Sequence, residues 1–222
     1  MSRINIAIDG PSGAGKSTLA KAVAKALGIY YLDTGAMYRA VAYAAIKQGV
    51  DISNPGEVEE LTAKVDLVTE YENGEQKVLL FGEDVMPYIR TPEISRAASD
   101  ISAYPCVRHK LVEMQREVAK KYDVVLDGRD IGTYVLPDAK YKFFLTADIE
   151  ERAKRRYLEN KNKGIDKEYA EVLSEMEQRD KNDSSRSLAP LKKADDAVLI
   201  DTTNMSAREV LDAVLSGVRL EP

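Results

Sequence analysis

The stretch I-N-I-A-I-D-G-P-S-G-A-G-K-S-T, residues 4–18, decides how this chain of 222 residues folds. Its apolar first half predicts a short buried strand. A helix is predicted directly afterwards, because Leu19, Val23 and Leu27 recur at helical spacing. A glycine-rich loop that ends in Gly-Lys-Ser stands between the two elements. The stretch therefore predicts a strand, a loop and a helix in direct succession, which is the repeating unit of an α/β fold.

The loop matches a glycine, four residues and Gly-Lys-Ser, a pattern that binds phosphate. Its glycines let several backbone N–H groups point into one concavity, and the following helix adds positive partial charge at its N-terminus. Lys16 can then reach the β- and γ-phosphates of a nucleotide, and the Ser17 hydroxyl can ligate Mg²⁺. The alternative is a plain glycine-rich turn, but the lysine, the serine and both flanking elements favour a nucleoside triphosphate site. The residues predicted to line this site are Gly10, Pro11, Ser12, Gly13, Ala14, Gly15, Lys16, Ser17 and Thr18.

Composition excludes several other classes of protein. A net charge of −5 argues against general binding to nucleic acid or to an anionic membrane. Cys106 is the only cysteine, so no intrachain disulfide is possible and a reducing cytoplasm is the expected compartment. His109 is the only histidine, which argues against histidine-based triads and multi-histidine metal sites. No apolar run is long enough to span a bilayer.

Four further apolar runs predict the rest of the central sheet. They lie at residues 29–32, 124–126, 141–145 and 197–200, and helical segments separate them. A five-stranded parallel sheet covered by helices on both faces is therefore the expected architecture. Together with the phosphate-binding loop, it predicts a three-layer α/β P-loop fold.

Residues 65–90 have a different pattern. Residues 66–72 and 76–81 predict two antiparallel strands joined by a type I′ turn at Asn73-Gly74, and residues 85–89 predict a third short strand. Because a hairpin does not belong in a parallel βα core, this segment is interpreted as an insertion between a core of residues 1–64 and 91–222.

Candidate site residues follow the strands or lie on the next helices. Asp127, Arg129 and Asp130 come after a buried strand and favour a site, with Asp127 suited to orient Mg²⁺. Thr34 is predicted to cap a helix that carries Arg39, whose alternative role is a solvated surface residue. A basic helix suits a polyphosphate, although a solvated charged face is the competing interpretation; its arginines are Arg152, Arg155 and Arg156.

Five segments, taken in order, resemble the bacterial cytidylate kinases over essentially the whole chain. They are residues 8–18 (I-D-G-P-S-G-A-G-K-S-T), 32–39 (L-D-T-G-A-M-Y-R), 127–133 (D-G-R-D-I-G-T), 179–186 (R-D-K-N-D-S-S-R) and 189–191 (A-P-L). The phosphate loop alone indicates only a superfamily, whereas five segments in the same order are far more specific. The hairpin insertion also resembles the enlarged nucleoside-monophosphate domain of these enzymes.

The resemblance implies phosphoryl transfer from ATP to CMP or dCMP with Mg²⁺, in a monomeric enzyme. Ser99, Arg108 and Asp130 would then recognise cytosine, and Arg179 and Asp183 would hold the ribose. The acceptor phosphate would bind near Thr34 and to Arg39, Arg129 and Arg186. A short lid at about residues 152–165 would bring Arg152, Arg155 and Arg156 to ATP. Lys16, Arg129, Arg156 and Arg186 would be catalytic, and Ser17 and Asp127 would serve the metal.

Two alternative functions remain open on the residues alone. One is a kinase of the same fold that acts on UMP, AMP or a non-nucleotide. The other is a nucleotide-dependent switch, against which the chain lacks an Asn-Lys-x-Asp guanine-reading segment. An acceptor phosphate needs no histidine base near neutral pH, so arginines that align and neutralise the phosphoryl groups are sufficient for transfer.

Overall fold

A computed structural model of the chain describes residues 3–72 and 74–218. Its strands are β1 (Asn5–Asp9), β2 (Tyr30–Asp33), β3 (Leu67–Glu72), β4 (Glu75–Leu80), β5 (Glu83–Asp84), β6 (Val124–Gly128), β7 (Tyr141–Thr146) and β8 (Val198–Asp201). Its helices are α1 (Lys16–Leu27), α2 (Thr34–Gln48), α3 (Pro55–Lys64), α4 (Pro92–Ile101), α5 (Pro105–Lys121), α6 (Ile149–Asn162), α7 (Tyr169–Ser185) and α8 (Ala207–Gly217). A π-helical turn spans Ile131–Val135. In the part of the chain that the structure describes, every helix is too short or too polar to cross a bilayer.

The chain divides into two compact units. The first contains Arg3 and the described residues of Tyr30–Val124, and therefore β2 to β5 and α2 to α5. The second combines Ile4–Ile29 with the described residues from Val125 onward, so it contains the glycine-rich loop and α6 to α8.

Among the described residues, five strands form a parallel sheet in the order β2-β6-β1-β7-β8. β1 pairs with β7, where Ile6 lies opposite Tyr141, and β7 pairs with β8, where Leu145 lies opposite Ile200. Ile6, Ala7 and Ile8 are all 0% exposed, so side chains on both faces of β1 are covered. The predicted five-stranded parallel sheet with flanking helices is confirmed.

A second, antiparallel sheet has the order β3-β4-β5. Its hairpin confirms the predicted pair of strands, with Leu67 opposite Leu80. The predicted third strand at residues 85–89 is wrong, because β5 occupies Glu83–Asp84 instead. Residues 85–89 turn back on themselves, since the N–H groups of Tyr88 and Ile89 both donate to the Val85 carbonyl oxygen. Asn73 lies outside the described residues, so the type of the hairpin turn stays a prediction.

The start of α2 also differs from the prediction. Thr34 is the first residue of the helix rather than its cap. Asp33 is the cap, because its Oδ1 accepts a hydrogen bond of 2.9 Å from the Ala36 N–H. The carboxylate that ends β2 therefore also fixes the beginning of α2.

Candidate functional site

Two glycines of the loop between β1 and α1 have a positive φ and lie close to neighbouring residues. At Gly10, where φ is +144°, an added Cβ would lie 2.0 Å from the carbonyl oxygen of Leu145. At Gly13, where φ is +77°, it would lie 2.9 Å from Cε of Met176. Glycine is thus required at Gly10 by both conformation and space, and at Gly13 by its positive φ, since the end of the Met176 side chain can move. The backbone N–H groups of the loop can face an anion in this arrangement.

Lys16 is buried at the end of this loop and is 6% exposed. Its Nζ donates a 2.6 Å hydrogen bond to the carbonyl oxygen of Pro11. Burial lowers the pKa of Lys16 well below its ordinary value and the positive charge of Arg129 lowers it further, whereas Asp127 raises it. A phosphate in the loop would add negative charge beside the ammonium and raise that pKa. The ammonium is therefore placed to neutralise an incoming phosphate.

Ser17 and Asp127 form a pair of oxygen ligands beside the loop. The Ser17 hydroxyl donates to Oδ2 of Asp127 over 2.8 Å, joining the start of α1 to the end of β6. The described residues contain no group of three or more His, Cys, Asp or Glu side chains able to hold a metal. Mg²⁺ is typically bound by one or two protein oxygens together with substrate phosphates and water, so this pair fits Mg²⁺ carried in with a nucleotide.

Asp9, the last residue of β1, is a buried carboxylate that the sequence analysis missed as a site residue. Its two oxygens accept 2.7 Å hydrogen bonds from the N–H groups of Ile131 and Gly132. Burial raises the pKa of Asp9 to about 7, although these N–H groups oppose the rise. The bonds fix the segment that follows Arg129 and Asp130. An acidic residue at the end of an otherwise apolar strand was the signal that could have identified it.

We expect Asp9 to make folding less favourable as the pH rises. Because its folded pKa is raised, its contribution to the free energy of unfolding is greatest below pH ~4 and is lost as the pH approaches about 7. Asp9→Asn removes this titration. The free energy of unfolding of the wild type minus that of Asp9→Asn, measured by urea unfolding, should therefore decrease as the pH rises from 4 to 7. A difference that rises with pH across that range would contradict this assignment.

Asp183 binds two arginines inside the second unit. Its Oδ2 accepts a 2.7 Å hydrogen bond from Nε of Arg129, and its Oδ1 accepts one from Nη2 of Arg186. Burial alone would raise the pKa of Asp183, but Arg129, Arg186 and Arg179 together hold it below its ordinary value. In return, the ion pair with Asp183 raises the pKa of Arg129 against the opposing effect of burial. The ion pair thus favours the charged form of Arg129.

Two other predicted residues lie in the same electrostatic environment. The charge of Arg179 acts on both Lys16 and Asp183, which places it near the phosphate loop as well as near the arginine pair. α7 continues to Ser185, so Arg179 and Asp183 share one helical face as predicted. Asp130 is 5% exposed, and its negative charge adds to the rise in the pKa of Asp9.

The three arginines of α6 have different surroundings. Arg152 donates 3.1 Å and 2.6 Å hydrogen bonds to the Ser12 carbonyl oxygen and to Asp180, and Arg156 reaches the Ser12 hydroxyl at 3.5 Å. Arg155 instead donates to the backbone oxygens of Thr202 and Thr203. The structure thus brings Arg152 and Arg156 to the phosphate loop and directs Arg155 towards the segment after β8.

The remaining predicted residues belong to the first unit. Arg39 binds the carboxylate of Asp33, and Thr34 is 4% exposed at the start of α2. Arg108 is 1% exposed and lies 5.8 Å from the ring centroid of Tyr38. Ser99 is partly exposed on α4, the helix that precedes the helix of Arg108. The first unit therefore contains Thr34, Arg39, Ser99 and Arg108.

The sequence comparisons with known proteins identify one family. A family model described as cytidylate kinase matches residues 6–220. A cytidylate kinase of Bacillus cereus strain B4264 is 51% identical over 218 residues, covering 97% of this chain and 96% of that protein. A cytidylate kinase of Caldicellulosiruptor saccharolyticus is 52% identical over 215 residues, covering 97% and 95% respectively. An uncharacterized protein from Eubacterium ventriosum has a similar fold, with a TM-score of 0.51 at 17% identity and coverage of 97% and 98%.

Proposed function

Because the chain belongs to the cytidylate kinase family, we propose that it transfers the γ-phosphoryl group of ATP to CMP or dCMP. The products are ADP and CDP or dCDP. The chain is an ATP-dependent nucleoside monophosphate kinase, and its substrates are small nucleotides. The proposal also requires that residues of this chain recognise cytosine in preference to other bases.

The observation that best supports transfer is the arginine pair on Asp183. Arg129 and Arg186 are held in the same unit as the phosphate loop, and the charge of Arg129 already acts on Lys16. A protein that only binds or hydrolyses a nucleotide has no evident use for two partly buried arginines in addition to its triphosphate site. Two such arginines suit the binding of an acceptor phosphate, because a planar guanidinium can donate to two phosphate oxygens at once.

The reaction needs alignment and charge neutralisation more than proton transfer. An oxygen of the acceptor phosphate forms a bond to the γ-phosphorus while the bond from that phosphorus to the β–γ bridging oxygen breaks, and ADP leaves with the electron pair. Lys16 neutralises the β- and γ-phosphates, with Arg152 and Arg156 beside the loop. Mg²⁺ would be held through Ser17 and Asp127 and would supply further positive charge to the phosphate oxygens.

Residues of each unit are proposed to serve the acceptor. Asp130, with Ser99 and Arg108, recognises cytosine, whose exocyclic amine suits a carboxylate acceptor. Arg179 and Asp183 bind the ribose; each Asp183 oxygen already accepts one arginine hydrogen bond and retains a further lone pair for a hydroxyl. The acceptor phosphate binds to Arg39, Arg129 and Arg186, with Thr34 nearby.

We also propose the organisation and setting that the family resemblance implies. Residues 65–90 form part of the acceptor-binding insertion, and about 152–165 form the lid, in which Arg155 joins Arg152 and Arg156 on ATP. The remaining residues form the core. The single cysteine suits the cytoplasm, and the net charge of −5 suits a protein that does not bind nucleic acid. The protein is proposed to act as a monomer.

Acceptor dependence tests transfer against hydrolysis. With ATP and Mg²⁺ present, ADP formation in a coupled assay should be close to background until CMP is added, and CDP should then appear in equal amount. Separation of the nucleotides by ion-exchange chromatography measures the amounts of ADP and CDP. Steady release of inorganic phosphate without any acceptor would instead favour a nucleotide-hydrolysing switch.

A further inference from the structure

A group of four side chains surrounds the junction of β2 and α2 in the first unit. Asp33 accepts a 2.9 Å hydrogen bond from Nη2 of Arg39 and a 2.8 Å hydrogen bond from Nη2 of Arg90, both at Oδ2. Gln76 of β4 accepts a 2.6 Å hydrogen bond from the backbone N–H of Asp33. Because one oxygen atom serves both arginines, their guanidinium groups lie side by side.

The charges of this group do not cancel. Two guanidinium groups face one carboxylate, so the group carries a net positive charge. Burial would raise the pKa of Asp33, but Arg39 and Arg90 hold it below its ordinary value, so the carboxylate is charged at neutral pH. Among the described residues, neither arginine has an ion pair with a second carboxylate that would offset this positive charge.

The two arginines also have donors to spare. Among the described residues, nothing accepts a hydrogen bond from the buried Nε of Arg39. The side chain of Arg90 is 48% exposed, and its ion pair among the described residues is the one from Nη2 to Asp33. The side chain of Arg39 is 17% exposed. A buried donor without an acceptor costs about 1–3 kcal/mol, so a ligand that satisfies it gains affinity. A phosphate has the oxygens and the charge to bridge both groups.

We propose that Arg90 is a second ligand of the acceptor phosphate beside Arg39, and that Asp33 positions the pair. The inference rests on the proposed function, because it deepens the acceptor site of the same reaction. Asp33 is a positioning residue: its carboxylate fixes the beginning of α2 and holds both guanidinium groups before the acceptor arrives. Arg90 lies between β5 and α4, at the end of the insertion of residues 65–90. Through Arg90, the acceptor phosphate would therefore also contact this insertion.

The opposing interpretation is that Arg90 and Asp33 form only a structural ion pair. A half-exposed pair of that kind contributes about 0–1 kcal/mol to stability and nothing to phosphate recognition. The two interpretations differ in one measurable respect. Loss of a phosphate ligand weakens the binding of CMP but not that of cytidine, which lacks the phosphate, whereas loss of a structural ion pair affects the binding of both compounds alike.

The test measures binding of CMP by calorimetry and binding of cytidine by competition, for the wild type and three variants. Arg90→Gln should weaken CMP binding about tenfold, the loss expected when a charged hydrogen bond is removed, and should change cytidine binding less than twofold. Arg90→Lys keeps the charge without the planar fork and should weaken CMP binding less than Arg90→Gln. Lys77→Gln is the matched control, because it also loses a positive charge and an ion pair, to Glu72, within the same unit.

Three results would overturn the inference. Arg90→Gln could bind CMP as tightly as the wild type, it could weaken CMP and cytidine by the same factor, or Lys77→Gln could weaken CMP binding as much as Arg90→Gln does. In each case CMP phosphorylation by the wild type would leave the proposed function standing. A wild type that does not phosphorylate CMP would overturn the proposed function, and this inference with it.

Discussion

Replacement of Lys16 by alanine is expected to lower kcat by about 10²–10³-fold, the loss typical of removing one group that stabilises transition-state charge. The ammonium stands at the end of the loop and donates to the Pro11 carbonyl oxygen. Burial already disfavours its charged form and lowers its pKa, so the side chain is not retained for stability. We therefore expect the variant to fold as stably as the wild type or more so. Steady-state kinetics with CMP and thermal unfolding measure the two effects.

Lys21→Ala is the matched control for that variant. Lys21 lies on the same helix, one turn further along, but it is exposed. Its replacement should change kcat less than twofold. An unfolded Lys16→Ala protein would show that the lysine is needed for the fold, and a normal kcat would remove it from the catalytic group. Either result would contradict the role given to Lys16.

Replacement of Asp183 by asparagine is expected to lower the free energy of unfolding by about 3 kcal/mol and to reduce activity strongly. Removing one partner of a buried ion pair typically costs ~3–5 kcal/mol, because the remaining charge stays buried without compensation. Here two arginines, Arg129 and Arg186, would lose the same carboxylate. The asparagine oxygen can still accept a hydrogen bond, so the lower end of that range is expected. Urea unfolding measures the loss.

The effect of Asp183 on stability should depend on pH. Its folded pKa is lowered, so its contribution is fully present above the unfolded value of about 4 and is lost as the pH falls through the folded value. The difference between the wild type and Asp183→Asn should therefore be largest near pH 7 and shrink below pH ~4. Asp212→Asn provides the control, because its pair with Arg208 is exposed and should contribute at most ~1 kcal/mol. A difference for Asp183→Asn that stays constant from pH 7 to 3 would contradict the buried ion pairs.

Local patterns were sufficient to predict most of the fold. The glycine loop, the apolar strands and the hairpin each depend on residues close together in the chain, and the five-stranded parallel sheet follows from alternating strands and helices. The error at residues 85–89 has a local cause too. A short apolar run resembles a strand, but these residues form a turn at Val85, and the strand is formed by Glu83 and Asp84 instead.

The contacts of the candidate site were less accessible to sequence reasoning. The bond from Asp9 to the N–H of Ile131 joins residues separated by 122 positions, and the bond from Arg152 to Ser12 joins residues separated by 140. The hydrophobic periodicity of the sequence does not indicate which distant residues pair in this way. Similarly, only the structure shows that Asp33 caps α2 and binds both Arg39 and Arg90. Motifs identified the chemical groups, while their partners depended on tertiary packing.

A panel of acceptor nucleotides tests whether this chain prefers cytosine. The purified wild type would be assayed with ATP and Mg²⁺ against CMP, dCMP, UMP and AMP, and kcat/KM determined for each. If this chain is a cytidylate kinase whose buried Asp130 accepts from the cytosine amine, CMP or dCMP should exceed both UMP and AMP by at least tenfold, since an unpaired buried acceptor costs about 1–3 kcal/mol. A kcat/KM for UMP or AMP equal to that for CMP would contradict the account.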